Sequence, residues 1–412
     1  MKSKKWALLV TSLTAMVLMA ACAQSTTTSN TNATTNSATT TATKTNQSSY
    51  FTEKDYDTSY DESTASKIEL SGSSANVSGD GVTVSESTVT ITKSGTYVIS
   101  GQSDGVQIKI EADKSADVHL VLKGATMTNT NAAISATSAG HVYLTLAEGT
   151  TNSLSDSSSN SDEKADAAFF SKVDLTINGK GTLNVDGKKN NGIKANDTLY
   201  ITGGTYNITA IGDAFNVNDE LNITGTTMTI DAKEDGVKVD NDEDTSVGTM
   251  YLSNNNNITV TAGDDGIHAS GDLVIDSGTY TVKNSTEGLE GKSITINGGD
   301  ISIYSTDDGV NAANKNAQQS EIFFTMNGGN LTVEVGQGDT DPIDSNGNIT
   351  VTGGTIKMTG QTGFDFDGTA TYTGGDIYLN GEKQTEIVNS IPGGGGPNGG
   401  PQGDGPAPGG QG

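Results

Sequence analysis

From Thr205 onward, apolar and polar residues alternate with a period of two in short bursts, and the bursts recur. Tyr206, Ile208 and Ala210 share one strand face, as do Met228, Ile230 and Ala232, then Ile258, Val260 and Ala262, then Tyr280, Val282 and Asn284. The opposite face carries Asn207 and Thr209, Thr227 and Thr229, Thr259 and Thr261, Thr279 and Thr281, Ser302 and Tyr304, and Thr332 and Glu334. Successive strand side chains point to opposite sides, so the first set is predicted to be interior and the second a threonine-rich solvated face. Lys283, Tyr304, Glu334 and Lys357 interrupt that face, which argues against an ice-binding surface and leaves β-propensity as its explanation.

Each burst follows a Gly-Gly-Thr type turn. Aligning on Gly204, Gly225, Asn256, Gly278, Gly299, Gly329, Gly354 and Gly375 gives steps of 21, 31, 22, 21, 30, 25 and 21. A unit of 21–22 residues with occasional insertions, made of short strands and glycine turns, is what one coil of a parallel β-helix requires. Leucine-rich repeats share the length but need a leucine and asparagine spacing that is absent. The expectation is an all-β domain over 50–391, about a dozen coils long, capped by Tyr50–Val77 and Thr371–Ile391. The stretch from Ile68 to about Gly181 repeats less clearly and is expected to be wider or to pair as an initial sheet. Ser153–Lys164 reads as an exposed loop.

A second motif keeps phase with the turns. Asp213-Ala214-Phe215, Asp235-Gly236-Val237, Asp265-Gly266-Ile267, Glu287-Gly288-Leu289, Asp308-Gly309-Val310 and Asp341-Pro342-Ile343 place an acid at one corner of six coils. Asn191-Gly192-Ile193 begins the series and Thr362-Gly363-Phe364 ends it. Carboxylates stacked about 5 Å apart repel by about 3 kcal/mol per pair at an effective dielectric near 20. Calcium is the natural relief, because it accepts several carboxylate oxygens in flexible geometry, and Glu234, Asp264 and Asp307 add a second acid. The predicted metal ligands are therefore Asp213, Glu234, Asp235, Asp264, Asp265, Glu287, Asp307, Asp308 and Asp341. The competing explanation is that Asp-Gly is a turn former with its carboxylates in water. The Asp240–Asp244 loop resembles a calcium loop but lacks the glycine and distal glutamate of an EF-hand.

Just past each motif, an outward column reads Lys194, Asn216, Lys238, His268, Glu290, Asn311, Asp344 and Asp365. The residues from Lys194 to Asn311 in this column, with Tyr304, are the candidate ligand contacts. His268 has no second histidine or cysteine at ligand spacing, since His119 and His141 lie far back in the chain, so it reads as a surface residue.

Composition narrows the partners. Acids number 50 against 23 lysines with no arginine, and the net charge of -27 excludes broad nucleic-acid binding. Lys2, Lys4 and Lys5, the apolar run Trp6–Ala21 and the lone cysteine Cys22 read as a lipoprotein signal over 1–22, with Cys22 the acylated residue. Residues 23–49, nearly all Thr, Ser, Asn, Ala and Gln, form a tether, and 392–412 is a Gly/Pro-rich tail holding five of the six prolines. These features predict an extracellular monomer, anchored to the cell membrane by lipid.

The stretches ITKSGTYVISGQSDGVQIKIEADKSADVHLVLKGATMTNTNAAI, AAFFSKVDLTINGKGTLNVDG and NGIKANDTLYITGGTYNITA resemble the bacterial carbohydrate-binding domain family with a polysaccharide-lyase-like right-handed β-helix. The resemblance covers roughly Lys67 to Gly381. It implies calcium-supported coils and binding of polysaccharides such as cellulose and polygalacturonate. The chain departs from the family's Ser-Lys-Asp-Asp-Leu phrase at Ser171-Lys172-Val173-Asp174-Leu175. A pectate-type lyase would need Lys238 or Lys194 as its base, and carboxylates nearby oppose that by holding the lysine protonated. A structural adhesin that binds a protein partner is the third class. With no tryptophan beyond the signal, sugar stacking falls to Tyr304, Tyr378 or Tyr251.

Overall fold

The computed structural model describes residues 50–390, apart from 242, 243, 245 and 339. Cys22, the signal, the tether and the tail lie outside the described residues, as do Asp242 and Glu243 of the acidic loop. Among the described residues, the helical segments are two short 3-10 turns, Glu53–Tyr56 and Gln319–Glu321, and the fold is all-β.

Each repeat passes once through three parallel ladders. Thr205–Ala210 belongs to the first, Phe215–Val217 to the second and Glu220–Thr224 to the third. They pair in parallel with Thr227–Ala232, Val237–Val239 and Thr249–Leu252 respectively, one repeat further on. The pattern continues to Asp376–Leu379, Phe364–Phe366 and Ala370–Tyr372. Two strands, Ile267–Ile275 and Leu289–Ile296, run through the second and third ladders without a break.

Parallel register places like on like. Ile208, Ile230, Val260, Val282, Ile303, Val333 and Met358 pair in sequence along the first ladder, and all are buried. Burying such a side chain contributes about 1.5–3 kcal/mol relative to leaving it exposed. Asn284 departs from its predicted interior place. A register shift after Val260 turns it outward, where its amide donates to the Ala262 carbonyl at 3.1 Å.

Pairing also corrects the turn alignment by one residue. Thr226, not Gly225, occupies the place of Gly204 and Asn256, because Thr205, Thr227 and Asn257 pair in register. The left-handed φ in these turns falls on Gly225 and Asn255, one residue earlier. The longer repeats carry their extra residues at 240–248 and 313–322, between the second and third ladders, and at 336–341, between the first and second.

The beginning of the described chain differs most from expectation. Ser66–Gly72 pairs antiparallel with Ser74–Ser78, and Val82–Ser85 with Thr88–Ile91, so hairpins close this end as the hairpin of Asp376–Leu379 with Glu382–Gln384 closes the other. Residues 50–57 do not cap an end. They lie over the outer face of the third ladder, where Thr176 donates to the Asp55 carboxylate at 2.7 Å and Asn178 and Thr202 donate to its carbonyl. This strap explains why Leu175–Gly179 is buried at every position instead of alternating. Nor is Ser153–Lys164 an exposed loop throughout. Thr151–Ser155 is a strand, buried Asn152 accepts from the Gly124 and Ala125 amides, and buried Asp156 accepts from the Lys188 amide.

Candidate functional site

The corner between the first and second ladders holds the acidic series. Asp213, Asp235 and Asp265 are buried, Glu287, Asp308 and Asp341 half-buried, while Glu234, Asp264 and Asp307 face water. Each buried carboxylate is engaged by the next repeat: the amide of Asp235 donates to Asp213 Oδ1 at 2.9 Å and that of Asp265 to Asp235 Oδ1 at 2.9 Å. The amides of Glu287 and Asp341 do the same to Asp265 and Asp308 at 3.3 and 2.8 Å. Acids recur here because a backbone N–H at this corner points along the stack and requires an acceptor.

The glycines of the motif have a different cause from turn formation. Gly236, Gly266, Gly288 and Gly309 lie outside the left-handed region, but a Cβ at Gly288 would stand 2.3 Å from Ile303 Cγ2 and 2.4 Å from the Gly309 carbonyl. Close packing on Ile303 and the next corner leaves no room for a side chain at Gly288, although other repeats of the same corner do admit one. Ala214 and Pro342 take the same place in two repeats.

The outward column is one register line: Phe170, Lys194, Asn216, Lys238, His268, Glu290, Asn311, Asp344 and Asp365 pair in sequence along the second ladder. Three of its members, Asn216, Lys238 and His268, engage the acid three residues before them. Asn216 donates to Asp213 Oδ2 at 2.6 Å, Lys238 pairs with Asp235 Oδ2 at 2.8 Å, and His268 Nδ1 lies 3.0 Å from Asp265 Oδ2 and 2.5 Å from Glu290 Oε2. Burial opposes the charge on His268, yet the hydrogen bonds to Asp265 and Glu290 outweigh it and push its pKa up to about 10. Burial likewise opposes charge on Lys238, but Asp235 raises its pKa further. His268 is therefore an embedded cation between two carboxylates, not the free surface residue that sequence suggests.

Past Glu290 the compensation ends. Burial, then Glu290, raises Glu287 to about 8; burial lifts Asp308 to about 6; and burial, then Asp308 and Asp365, lifts Asp344 to about 7. The ligand oxygens of Asp265, Glu287 and Glu290 lie within 4.8 Å of one another, as do the ligand atoms of Asp235, Asp265 and His268. Asn311 donates to Glu287 Oε2 at 2.9 Å, leaving its own carbonyl oxygen buried without a hydrogen-bond partner among the described residues.

Toward its start, the column floors a groove of about 1040 Å³ that gathers Lys194, Asn216 and Lys238 with Lys172, Asn196 and Asn218, and with the acids Asp197, Asp219 and Asp240. The segment Asp162–Ala165 forms its wall. Lys194 is held by Asp166 at 2.7 Å, whereas exposed Lys172 has no ion pair among the described residues. Sequence reasoning missed Asp166 and Lys172 as site residues, although Ala167 pairs with Asn191 and so extends the series back by one repeat. Tyr304 stands apart on the first ladder, 39% exposed and paired in register with Glu334. Tyr251 is not available for stacking, because Tyr50 of the strap covers its ring at 3.7 Å between centroids.

A family model described as carbohydrate-binding domain-containing protein matches residues 85–341 and 266–390. A carbohydrate-binding domain-containing protein of Acetivibrio thermocellus is 38% identical over 124 residues, which is 29% of this chain and 43% of that protein's length. A solved structure, the gadolinium derivative of a polysaccharide lyase-like protein from C. thermocellum, is 24% identical over 80% of this chain and 98% of its own, with a TM-score of 0.37.

Proposed function

The chain belongs to the family of carbohydrate-binding domain-containing proteins, and from that premise we propose that it binds an acidic, pectate-like polysaccharide along the second ladder, on a right-handed parallel β-helix closed from the three ladders. The observation that carries this reading is the register line Lys194, Asn216, Lys238, which sets polar side chains at about 4.8 Å intervals on the floor of one groove. Lys172 at its rim, without an ion pair among the described residues, would face a uronate carboxylate, and the acids Asp162, Glu163, Asp197, Asp219 and Asp240 lining the same groove would need a cation to admit it. Lipid on Cys22 would hold the monomer at the outside of the cell membrane.

Calcium suits the later half of the column better than the earlier half. Asp213 and Asp235 already have an amide on one oxygen and a side-chain donor on the other. Asp265, Glu287 and Glu290 bring carboxylate oxygens within 4.8 Å of one another, and the buried side-chain carbonyl of Asn311, whose amide donates to Glu287, adds a neutral oxygen. Hard cations take such ligands. These residues would hold calcium, which would neutralise the cluster and draw in uronate carboxylates. Catalysis by Lys238 is disfavoured, because its pair with Asp235 keeps it protonated.

Retention of the protein on polygalacturonate, measured with calcium and with chelator, tests the reading. Stronger retention with calcium is expected, and Lys172→Glu should weaken binding about fivefold. Equal retention in calcium and chelator would remove the cation from the account, and no retention in either would sink the acidic-polysaccharide reading.

A further inference from the structure

The strap and the residues that follow it lie lengthwise on the third ladder. The outward register line beneath them reads His119, Tyr143, Thr176, Tyr200, Asn222 and Tyr251, so the strap crosses about 24 Å of stacked strands. Tyr50 stacks on Tyr251 at one end, and Phe51 packs against Tyr200 and Tyr251 at 6.4 and 6.3 Å. Lys54 pairs with Asp117 and sits 4.4 Å over the Tyr143 ring, and Tyr60 meets the His119 ring edge-on at 6.4 Å.

Two histidines hold the strap through hydroxyl relays. Thr176 spends its proton on Asp55 Oδ1, so His141 Nε2, 2.9 Å from the same hydroxyl oxygen, must donate to it. Thr145 likewise donates to Asn178 at 2.6 Å and accepts from His119 Nε2 at 2.7 Å. The Asn178 amide then donates to the carbonyls of Asp55 and Asp57 at 3.2 and 3.0 Å. Both rings therefore carry their one proton on Nε2, and a second proton at Nδ1 adds net charge under the strap. Burial holds both histidines below their ordinary 6.5. Asp57 opposes this at His119, and Asp174, Asp55 and Asp117 oppose it at His141, while Lys54 reinforces it at both. The other rings facing them are Tyr60 at His119, and Tyr143 and Tyr200 at His141.

We propose that residues 50–57 are an acid-released strap: protonation of His119 and His141 undocks them from the third ladder and moves the point where the leading chain leaves the body from Tyr251 to Ser66. The closed strap keeps both rings neutral, whereas the open state lets them titrate near 6.5. Closure is therefore favoured above about pH 6.5 and is lost as pH falls below it, each histidine shifting the balance by up to about tenfold per pH unit until the ring protonates in place. Freeing residues 50–65 adds up to about 50 Å of chain ahead of the first strand at Ser66.

The test is amide hydrogen exchange of the full-length protein, corrected for the intrinsic pH dependence of exchange. Thr52, Asp55 and Asp57 report on the strap, because their amides are bonded within it. Between pH 7 and pH 5.5 their protection should fall about tenfold, while the amides of Leu175–Gly179 keep theirs. In His119→Gln/His141→Gln, which retains an N–H donor for each threonine and takes up no proton, strap protection should not change over that range. Asp55→Ala should leave the strap amides unprotected at both pH values, and full protection there would remove the relays from the account. Strap protection that is independent of pH in the native protein, or an acid response that survives in the double variant, overturns the proposal. Nuclear magnetic resonance titration of the three histidines gives a check that needs no variant: midpoints below 6.5 are expected for His119 and His141, and midpoints at or above 6.5 overturn the switch.

Discussion

His268 shows how a residue's chemistry depends on its neighbours in the stack. Its folded pKa of about 10 lies above the ordinary 6.5, so it contributes stability that is fully present below about pH 6.5 and is lost as pH rises through about 10. Replacing it leaves Asp265 and Glu290 facing each other. His268→Gln should destabilise the protein by on the order of 2–3 kcal/mol at pH 7, with a smaller deficit near pH 10. Urea unfolding at the two pH values checks this; the same deficit at both would mean that His268 is uncharged in the fold. The sequence marks the phase of His268 and Asp265, because both recur with the repeat. It does not show that Glu290, one repeat later, completes the site, since that contact exists only once Ile267 and Leu289 are in register.

At the level of elements, the Asp-Gly corner and the strap make opposite demands on the chain. At Gly288 the corner needs absence of a side chain: Gly288→Ala should cost about 1–3 kcal/mol, because its Cβ meets both Ile303 and the Gly309 backbone. A thermal melt reads the loss, and an unchanged melting temperature would show that the corner relaxes freely. The strap needs specific partners far away in sequence. Its role was illegible because Asp55 meets Thr176 and Thr202, residues 121 and 147 positions later, on strands whose outward faces carry no local sign of being covered.

At the level of the whole molecule, the net charge of -27 is unevenly relieved. Lys194, Lys238 and His268 serve the earlier repeats, and Glu290, Asp344 and Asp365 follow in the later ones. Glu287 at about 8, Asp344 at about 7 and Asp308 at about 6 all lie above their ordinary values of 4.5, 3.8 and 3.8. The folded state therefore holds protons that the unfolded state releases, and stability in chelator should fall as pH rises from about 4 to about 8. Calcium should raise the melting temperature more at pH 8 than at pH 5, where protons compete for the same oxygens. A calcium response independent of pH would place the ion elsewhere.

The all-β class, the repeat length, most of the interior faces and the phase of the acidic and outward columns were legible in residue order, because each is a periodicity written in residue type. What those columns touch is set by the stacked fold. Parallel stacking brings residues 19–35 positions apart to within a strand spacing, so one repeat's amide meets the previous carboxylate, while the leading segment carries Tyr50 onto Tyr251. Such contacts depend on register and on the path of an inserted or leading segment, which local hydrophobic patterning does not encode.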